Sequence, residues 1–448
     1  MWDSPVAIAL DAVAKLIRTL RVIFTLIAEK LRGLGITIGV LAGVILALNL
    51  GIVSWEEISA VWLTVWNATF TLIALIMIAV ILEEAGFFRL LALQAARSSL
   101  GRGRIFFTLV LLLGASVATW FTNIGAALIW TSTVVEILLL LGFSNRAILA
   151  FVFATGLLAE ATSLLLPVSN SVNLISTDYF NISFLRYLLV MVPVSFAAIA
   201  TSLGVLWFFF DPYIPNTYQV TDLPSSKQVV RDPLVCQWGL VILGLLLIGY
   251  LVAQVLDIPV CLIAIIAAFI LLALAGRWFH NTPAIIPINQ VGQEVPWPAI
   301  LLSLAMCLVV IDLGNAGMIQ LLSELLEELA NWGLTLTAAG TAFLATILSS
   351  GMNSLPTVLI NTQAIQGTTG LDPIIQEVMV YANVIGCTIG AKISPIGSLS
   401  TLIWLNILAS KRLNLSWVQY TRMAIILTIP VLFISLLSLA IWLPWLIV

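Results

Sequence analysis

Charge is what this sequence has least of. Only 9% of its 448 residues are Asp, Glu, Lys or Arg, against roughly 25% in an ordinary soluble domain. A soluble chain of this length needs a polar surface, and these residues cannot build one. Histidine occurs once, as His280 in a polar stretch, and the four cysteines (Cys236, Cys261, Cys307, Cys387) contain no Cys-x-x-Cys pair. Metal-centred and Ser-His-Asp chemistry therefore have no candidates, and the cysteines read as small buried hydrophobes. Nothing calls for a cofactor, for nucleic acid or for an enzyme. No cleavable leader is expected either: residues 5–32 carry Asp11, Lys15, Arg18, Arg21 and Glu29, and no short apolar core with a small-residue cleavage site follows.

Hydrophobic residues make up 61% of the chain. They come in runs that match the 20 or so residues a helix needs to cross a bilayer, not the short alternating segments of a barrel. The runs predict an all-α polytopic membrane protein. Spans are expected at 36–53, 58–82, 146–178 (interrupted), 183–210, 236–256, 258–276, 298–313, 373–410 (interrupted) and 417–446. Two further apolar stretches, 105–141 and 335–367, are too long for one helix and are broken at the centre. The breaks read Phe121-Thr122-Asn123-Ile124-Gly125 and Ser349-Ser350-Gly351-Met352-Asn353-Ser354-Leu355-Pro356. Each predicts a re-entrant helical hairpin, since irregular backbone at membrane depth is tolerated only where protein buries it or it lines a cavity.

The two halves repeat. Asn123 and Asn353 lie 230 residues apart at the hairpin tips, and Pro167 and Pro395 lie 228 apart inside the interrupted spans. The order span, span, hairpin, broken helix, span recurs. Residues 33–210 form one transmembrane repeat and 236–448 the other, joined by a loop at 211–235. Residues 1–32 form an amphipathic N-terminal helix that lies in the membrane interface or spans it. The interface is favoured, because spanning would bury several charges at roughly 2.5–3.5 kcal/mol each.

Basic residues set the orientation, because Lys and Arg are retained on the cytoplasmic side. One face collects Lys30, Arg32, Arg89, Arg97, Arg102, Arg104, Arg146, Lys227, Arg231, Arg277, Lys411 and Arg412. The other holds Arg186 and an acidic set, Asp257, Glu324, Glu327, Glu328, Asp372 and Glu377. The loop 211–235 is then cytoplasmic, one hairpin enters from each side, and the repeats are inverted. Broken helices meeting near the midplane of an inverted repeat suit an alternating-access secondary transporter.

A transporter strips water from its substrate and replaces it with fixed dipoles. The ends of broken helices supply unpaired N–H and C=O groups for this. Around the four breaks lie small neutral hydrogen-bonding side chains: Thr122, Asn123, Ser169, Asn170, Asn173, Asn353, Ser354, Thr357, Ser394, Ser398 and Thr401. Each also has an ordinary reading as a helix cap or interhelical hydrogen bond. As a group they are the candidate substrate-binding residues. Charged residues within the spans are few, and an intramembrane ionisable group is a functional candidate by default. Lys392, beside the second break, and Glu160, seven residues before Pro167, are the candidates for proton coupling. Glu136 and Asp312 read instead as groups reaching the interface.

Several stretches resemble the bacterial arsenite/antimonite efflux pump family, a branch of the ion transporter superfamily. They are Tyr381-Ala382-Asn383-Val384-Ile385-Gly386-Cys387, Lys392-Ile393-Ser394-Pro395-Ile396-Gly397-Ser398, Glu84-Ala85-Gly86-Phe87-Phe88, Gly125-Ala126-Ala127-Leu128-Ile129, Val168-Ser169-Asn170 and Met352-Asn353. The similarity runs from about residue 33 to the end. It implies an inner-membrane pump that expels arsenite and antimonite in exchange for protons. In some members a soluble ATPase subunit docks from the cytoplasm, and assembly into a homo-oligomer stays open. The chain departs from the family's pattern at three acids. Ile124 stands after the hairpin asparagine, Thr388 follows Cys387, and Glu160 replaces an aspartate. The alternatives are an inorganic-ion exchanger of the Na+/H+ type, and a membrane subunit or sensor that has kept the fold without transport.

Overall fold

A computed structural model describes residues 54–220, 223–278, 283–313, 317–413 and 415–446. The N-terminal helix over 1–32 and the span over 36–53 lie outside the described residues, as does the side chain of Asp312. The described chain is helical almost throughout, and seven of its helices are long and apolar enough to cross a membrane.

The first helix, α1 (Trp55–Glu84), opens on a capping box in which the Ser54 hydroxyl and the Glu57 carboxylate satisfy each other's backbone N–H groups. An amphipathic helix α2 (Phe87–Ser98) follows. Next, α3 (Gly103–Gly125) runs through a π-helical turn at Ala126–Trp130 into α4 (Thr131–Leu140). The first broken helix is α5 (Asn145–Thr162) and α6 (Ser171–Tyr179), and α7 (Phe184–Phe210) closes the half. In the second half an amphipathic helix, a helix pair, a broken helix and a long helix again follow one another. This half comprises α8 (Pro233–Val255), α9 (Val260–Ala275), α10 (Trp297–Leu313), the amphipathic α11 (Ile319–Ala330), the pair α12 (Leu334–Met352) and α13 (Ser354–Gly367), the broken helix α14 (Pro373–Thr388) and α15 (Leu399–Ser410), and α16 (Trp417–Trp442).

The chain reverses in the middle of both interrupted stretches. At Thr122 the backbone takes φ 69°, ψ 160° inside what would otherwise be one helix. At Asn353 it takes φ 78°, ψ 155°. Positive φ is rare for residues other than glycine and holds only where the surroundings enforce it. Trp130 donates to the carbonyl of Val110 at 3.3 Å, so the return arm lies beside the outgoing one. Gly114 makes this approach feasible, since a Cβ there would sit 2.7 Å from the Trp130 indole nitrogen. In the second pair, α11 fixes both ends. Thr337 at the start of α12 donates to Leu329 (2.9 Å), and Ser323 donates to Ala364 near the end of α13 (2.9 Å). The sequence placed the first tip at Asn123. The reversal falls instead on Thr122, whose hydroxyl accepts from the N–H of Gly125 (3.2 Å) and caps the new helix.

Proline makes the other two breaks. Pro167 and Pro395 offer no N–H, and the residue before a proline is driven out of the helical region. Leu166 has φ −116°, ψ 147° and Ser394 has φ −112°, ψ 142°. Helix resumes after an extended N-cap, Asn170 in one case and Ser398 in the other.

Polar contacts collect at two opposite ends of the bundle. At one end Arg231 pairs with Glu84 (3.0 Å), Arg104 with Asp211 (2.7 Å) and Arg277 with Asp232 (2.8 Å), while Glu136 joins both Arg89 (2.8 Å) and Lys411 (3.1 Å). At the other end Arg186 makes a two-bond pair with Glu377, both bonds 2.9 Å. Asn67 donates to Asp178 at 2.7 Å toward that same end. Helix α7 connects the two, with Arg186 in its first turn and Asp211 just past its last. The first hairpin begins at the basic end, where Gly103 donates to Asn216 (3.1 Å), and returns there at Glu136. The second begins and ends at the opposite end, where Gln376 beside Glu377 donates to Ile365 (3.2 Å). Arg89, Arg104, Arg231, Arg277 and Lys411, grouped on one face by the sequence, thus lie at one end of the described bundle.

Candidate functional site

Glu160 lies two residues before the end of α5, and Lys392 lies in the single 3-10 turn Gly390–Ile393 that follows α14. Both sit in the interior, with residue exposures of 2% and 5%. Their charged atoms meet at 3.2 Å. Two buried charges without partners would each cost several kcal/mol, so the pair needs further hydrogen bonds to be tolerated. It has them. The Asn123 amide donates to both Glu160 oxygens (3.1 and 2.9 Å), the Ser400 hydroxyl donates to Oε1 at 2.6 Å, and the Ser398 hydroxyl donates to the same oxygen at 3.2 Å. Lys392 Nζ also donates to Ser400 (3.3 Å), and Tyr420 of α16 donates to the Lys392 carbonyl (3.0 Å). Hairpin, first broken helix and second broken helix thus meet on one carboxylate.

The other expected site residues divide in two. Asn170 caps α6 by accepting from Val172 N–H (3.1 Å), and its amide donates to Thr388 of the opposite broken helix (3.4 Å). Asn353 caps α13 and donates to the Ile396 carbonyl (3.1 Å), while Ser354 N–H donates to Gly397 (2.9 Å), so the second hairpin grips the second break. Asn173 donates to the carbonyls of Ser163 (2.7 Å) and Leu166 (3.0 Å) and holds the first break in shape. Thr357 bonds back to Asn353 (2.7 Å), Ser394 accepts from Ile396 N–H (3.3 Å), and Ser169 donates to the Thr119 carbonyl. Thr122 and Thr401 are buried beside the breaks. The asparagines at 123 and 353 therefore do different work: one reaches the charged pair and the other caps backbone.

Ser400 is the site residue that sequence reasoning missed. It stands in the first turn of α15, just after the extended N-cap Ser398 (φ −134°, ψ 133°), and it reaches Glu160 only through the packing of the two broken helices. Thr388 was likewise read only as a missing acid, yet it is the partner of Asn170.

Close packing surrounds the charged pair. A cavity of about 20 Å³ touches Glu160, Ser202, Lys392 and Thr428, room for about one water. Among the described residues a larger cavity, about 610 Å³, lies toward the end opposite the basic face. Asn67, Asp178, Gln254 and Asp257 line it, and it reaches inward to Pro167 at the first break.

The sequence model of the arsenical pump membrane protein family matches residues 13–443. The chain belongs to that family. An arsenical pump membrane protein of Escherichia coli K12 is 47% identical over 410 residues, which is 91% of this chain and 94% of the relative. Another, from Yersinia enterocolitica, is 46% identical over 421 residues, 93% and 96% of the two chains. The crystal structure of the YdaH transporter of Alcanivorax borkumensis, described as having an unusual topology, superposes with a TM-score of 0.54 at 13% identity and covers 87% of each chain. That likeness concerns the fold alone. Membership and the candidate spans place this chain among the multi-pass proteins of the bacterial inner membrane.

Proposed function

We propose that this protein exports arsenite and antimonite across the inner membrane, exchanging them for protons by alternating access. The observation that carries the reading is the buried Glu160–Lys392 pair, held at 3.2 Å where the two broken helices cross. Arsenite is a neutral trihydroxy acid at neutral pH, so its recognition calls for hydrogen-bonding dipoles and no fixed charge. The breaks offer these as Asn123, Asn170, Asn353, Ser354, Ser398 and Thr401, together with the helix ends. A fixed pair of opposite charges serves the driving ion instead. Glu160 takes a proton on one side and gives it up on the other, with Lys392 compensating the carboxylate in between.

In this reading the two hairpins dip into the membrane from opposite faces, the basic end and loop 211–235 are cytoplasmic, and the 610 Å³ cavity lies on the outer side. The packed site, with room for about one water, represents an occluded stage. Rocking of one repeat against the other would open it to each side in turn. A soluble ATPase subunit, where one is used, would meet the basic face.

Uptake of arsenite into inverted vesicles or proteoliposomes under an imposed pH gradient tests this. Accumulation that follows the gradient and stops when a protonophore collapses it is the expected result. Uptake that ignores pH but follows a Na+ gradient would replace the proton reading with a sodium one. No uptake under any gradient, with the protein folded, would leave the non-transporting alternative.

A further inference from the structure

The two broken helices touch at two places, and the places are related. An offset of 228 residues maps the first break on the second, as the backbone angles of Leu166 and Ser394 show, and those of Asn170 (φ −149°, ψ 137°) and Ser398 (φ −134°, ψ 133°). Under the same offset Glu160 corresponds to Thr388. Glu160 is bonded by Ser398 at 3.2 Å, and Thr388 is bonded by Asn170 at 3.4 Å. The first residue of one half thus pairs with the second residue of the other, and the converse pair is also made. Such reciprocity is what a two-fold axis produces. Chemistry breaks the symmetry that the backbone keeps. One crossing has a carboxylate and an ammonium, while its twin has a hydroxyl and an amide, and the counterpart of Lys392 is Leu164.

We propose that the transporter carries one proton per cycle, at the Glu160 crossing, and that the Thr388–Asn170 crossing is its uncoupled twin. The proposal rests on the proton-exchange reading above and fixes its stoichiometry. Among the described residues the titratable groups facing Glu160 are Lys392 and Tyr420, the latter bound to the Lys392 carbonyl at 3.0 Å. Asn123, Ser398 and Ser400 complete the surround and carry no charge. Glu83 is held by Thr133 (3.3 Å) toward the basic end, and Asp178 by Asn67 (2.7 Å) toward the other, so neither shares the crossing. A proton bound to Glu160 from outside is released to the cytoplasm as one neutral substrate leaves. The site's charge therefore changes by one in each cycle, and transport moves one charge per substrate.

The balance point of flux in proteoliposomes tests this on the intact protein. With the membrane potential clamped at zero, one proton per substrate sets the arsenite gradient at balance to about tenfold per pH unit, and two protons set it to about a hundredfold. Tenfold is expected, and a potential imposed at equal pH should shift the balance as an equivalent pH gradient does. A hundredfold balance, or a balance at equal concentrations whatever the pH, would overturn the proposal. So would indifference to potential. Thr388→Asp adds a carboxylate to the twin and should move the balance toward a hundredfold. The two wild-type measurements decide the matter even if this variant does not fold. A wrong ratio with flux present refutes the stoichiometry alone, whereas no arsenite flux refutes the substrate reading on which it stands.

Discussion

Removing Lys392 should destabilise the protein in a way that a second substitution repairs. Lys392→Met leaves the Glu160 carboxylate, 2% exposed, without its counter-charge. Breaking a buried ion pair by removing one partner typically costs about 3–5 kcal/mol. Three donors remain on the carboxylate, from Asn123, Ser398 and Ser400, and hydrogen bonds to a charged group are worth about 1.5–3 kcal/mol each. They keep part of its solvation in place, so the loss should fall near the low end, about 3 kcal/mol. Adding Glu160→Gln removes the orphaned charge and keeps the shape. The double variant should recover about 2 kcal/mol relative to Lys392→Met, a coupling in the range seen for residues in one network. Thermal unfolding of the four proteins in detergent reads the order. A double variant no more stable than Lys392→Met would refute the claim that these groups form a charged pair.

Other consequences follow from the same geometry. A cysteine at Asn331 should react with an impermeant thiol reagent in intact cells and one at Asn216 should not; the reverse pattern would invert the orientation. Asn123→Ala and Asn353→Ala should each abolish arsenite resistance in a sensitive host while membrane abundance persists, and full resistance in both would remove the tips from the path. At Gly386 a Cβ would lie 2.4 Å from the Ala342 carbonyl oxygen, so Gly386→Ala should push α12 and α14 apart. The expected cost is about 1–3 kcal/mol, seen as a lowered unfolding temperature, and an unchanged one would show that the helices yield freely.

The fold was legible where bilayer physics constrains composition. The described long spans fall within a few residues of those expected, because a helix in lipid must be apolar for its whole length. The proline breaks were legible for a covalent reason. The amphipathic helices α2 and α11 were not among the expected elements, since neither approaches the length or hydropathy of a span and their stability comes from lying on other helices. The first tip was misplaced by one residue, because Thr122 and Asn123 can both cap and only packing decides between them. The partners of Glu160 were half legible. Asn123, Lys392 and Ser398 stood out as polar residues at breaks, whereas Ser400 and the Asn170–Thr388 contact depend on the register of one broken helix against the other, which no local pattern encodes.

In the proposed cycle Glu160 couples transport to protons without being needed to hold substrate. Glu160→Gln in proteoliposomes separates the two, because exchange of labelled for unlabelled arsenite at equal concentrations needs the substrate site alone. This exchange should survive while accumulation driven by a pH gradient is lost. Normal pH-driven accumulation by Glu160→Gln would contradict this coupling.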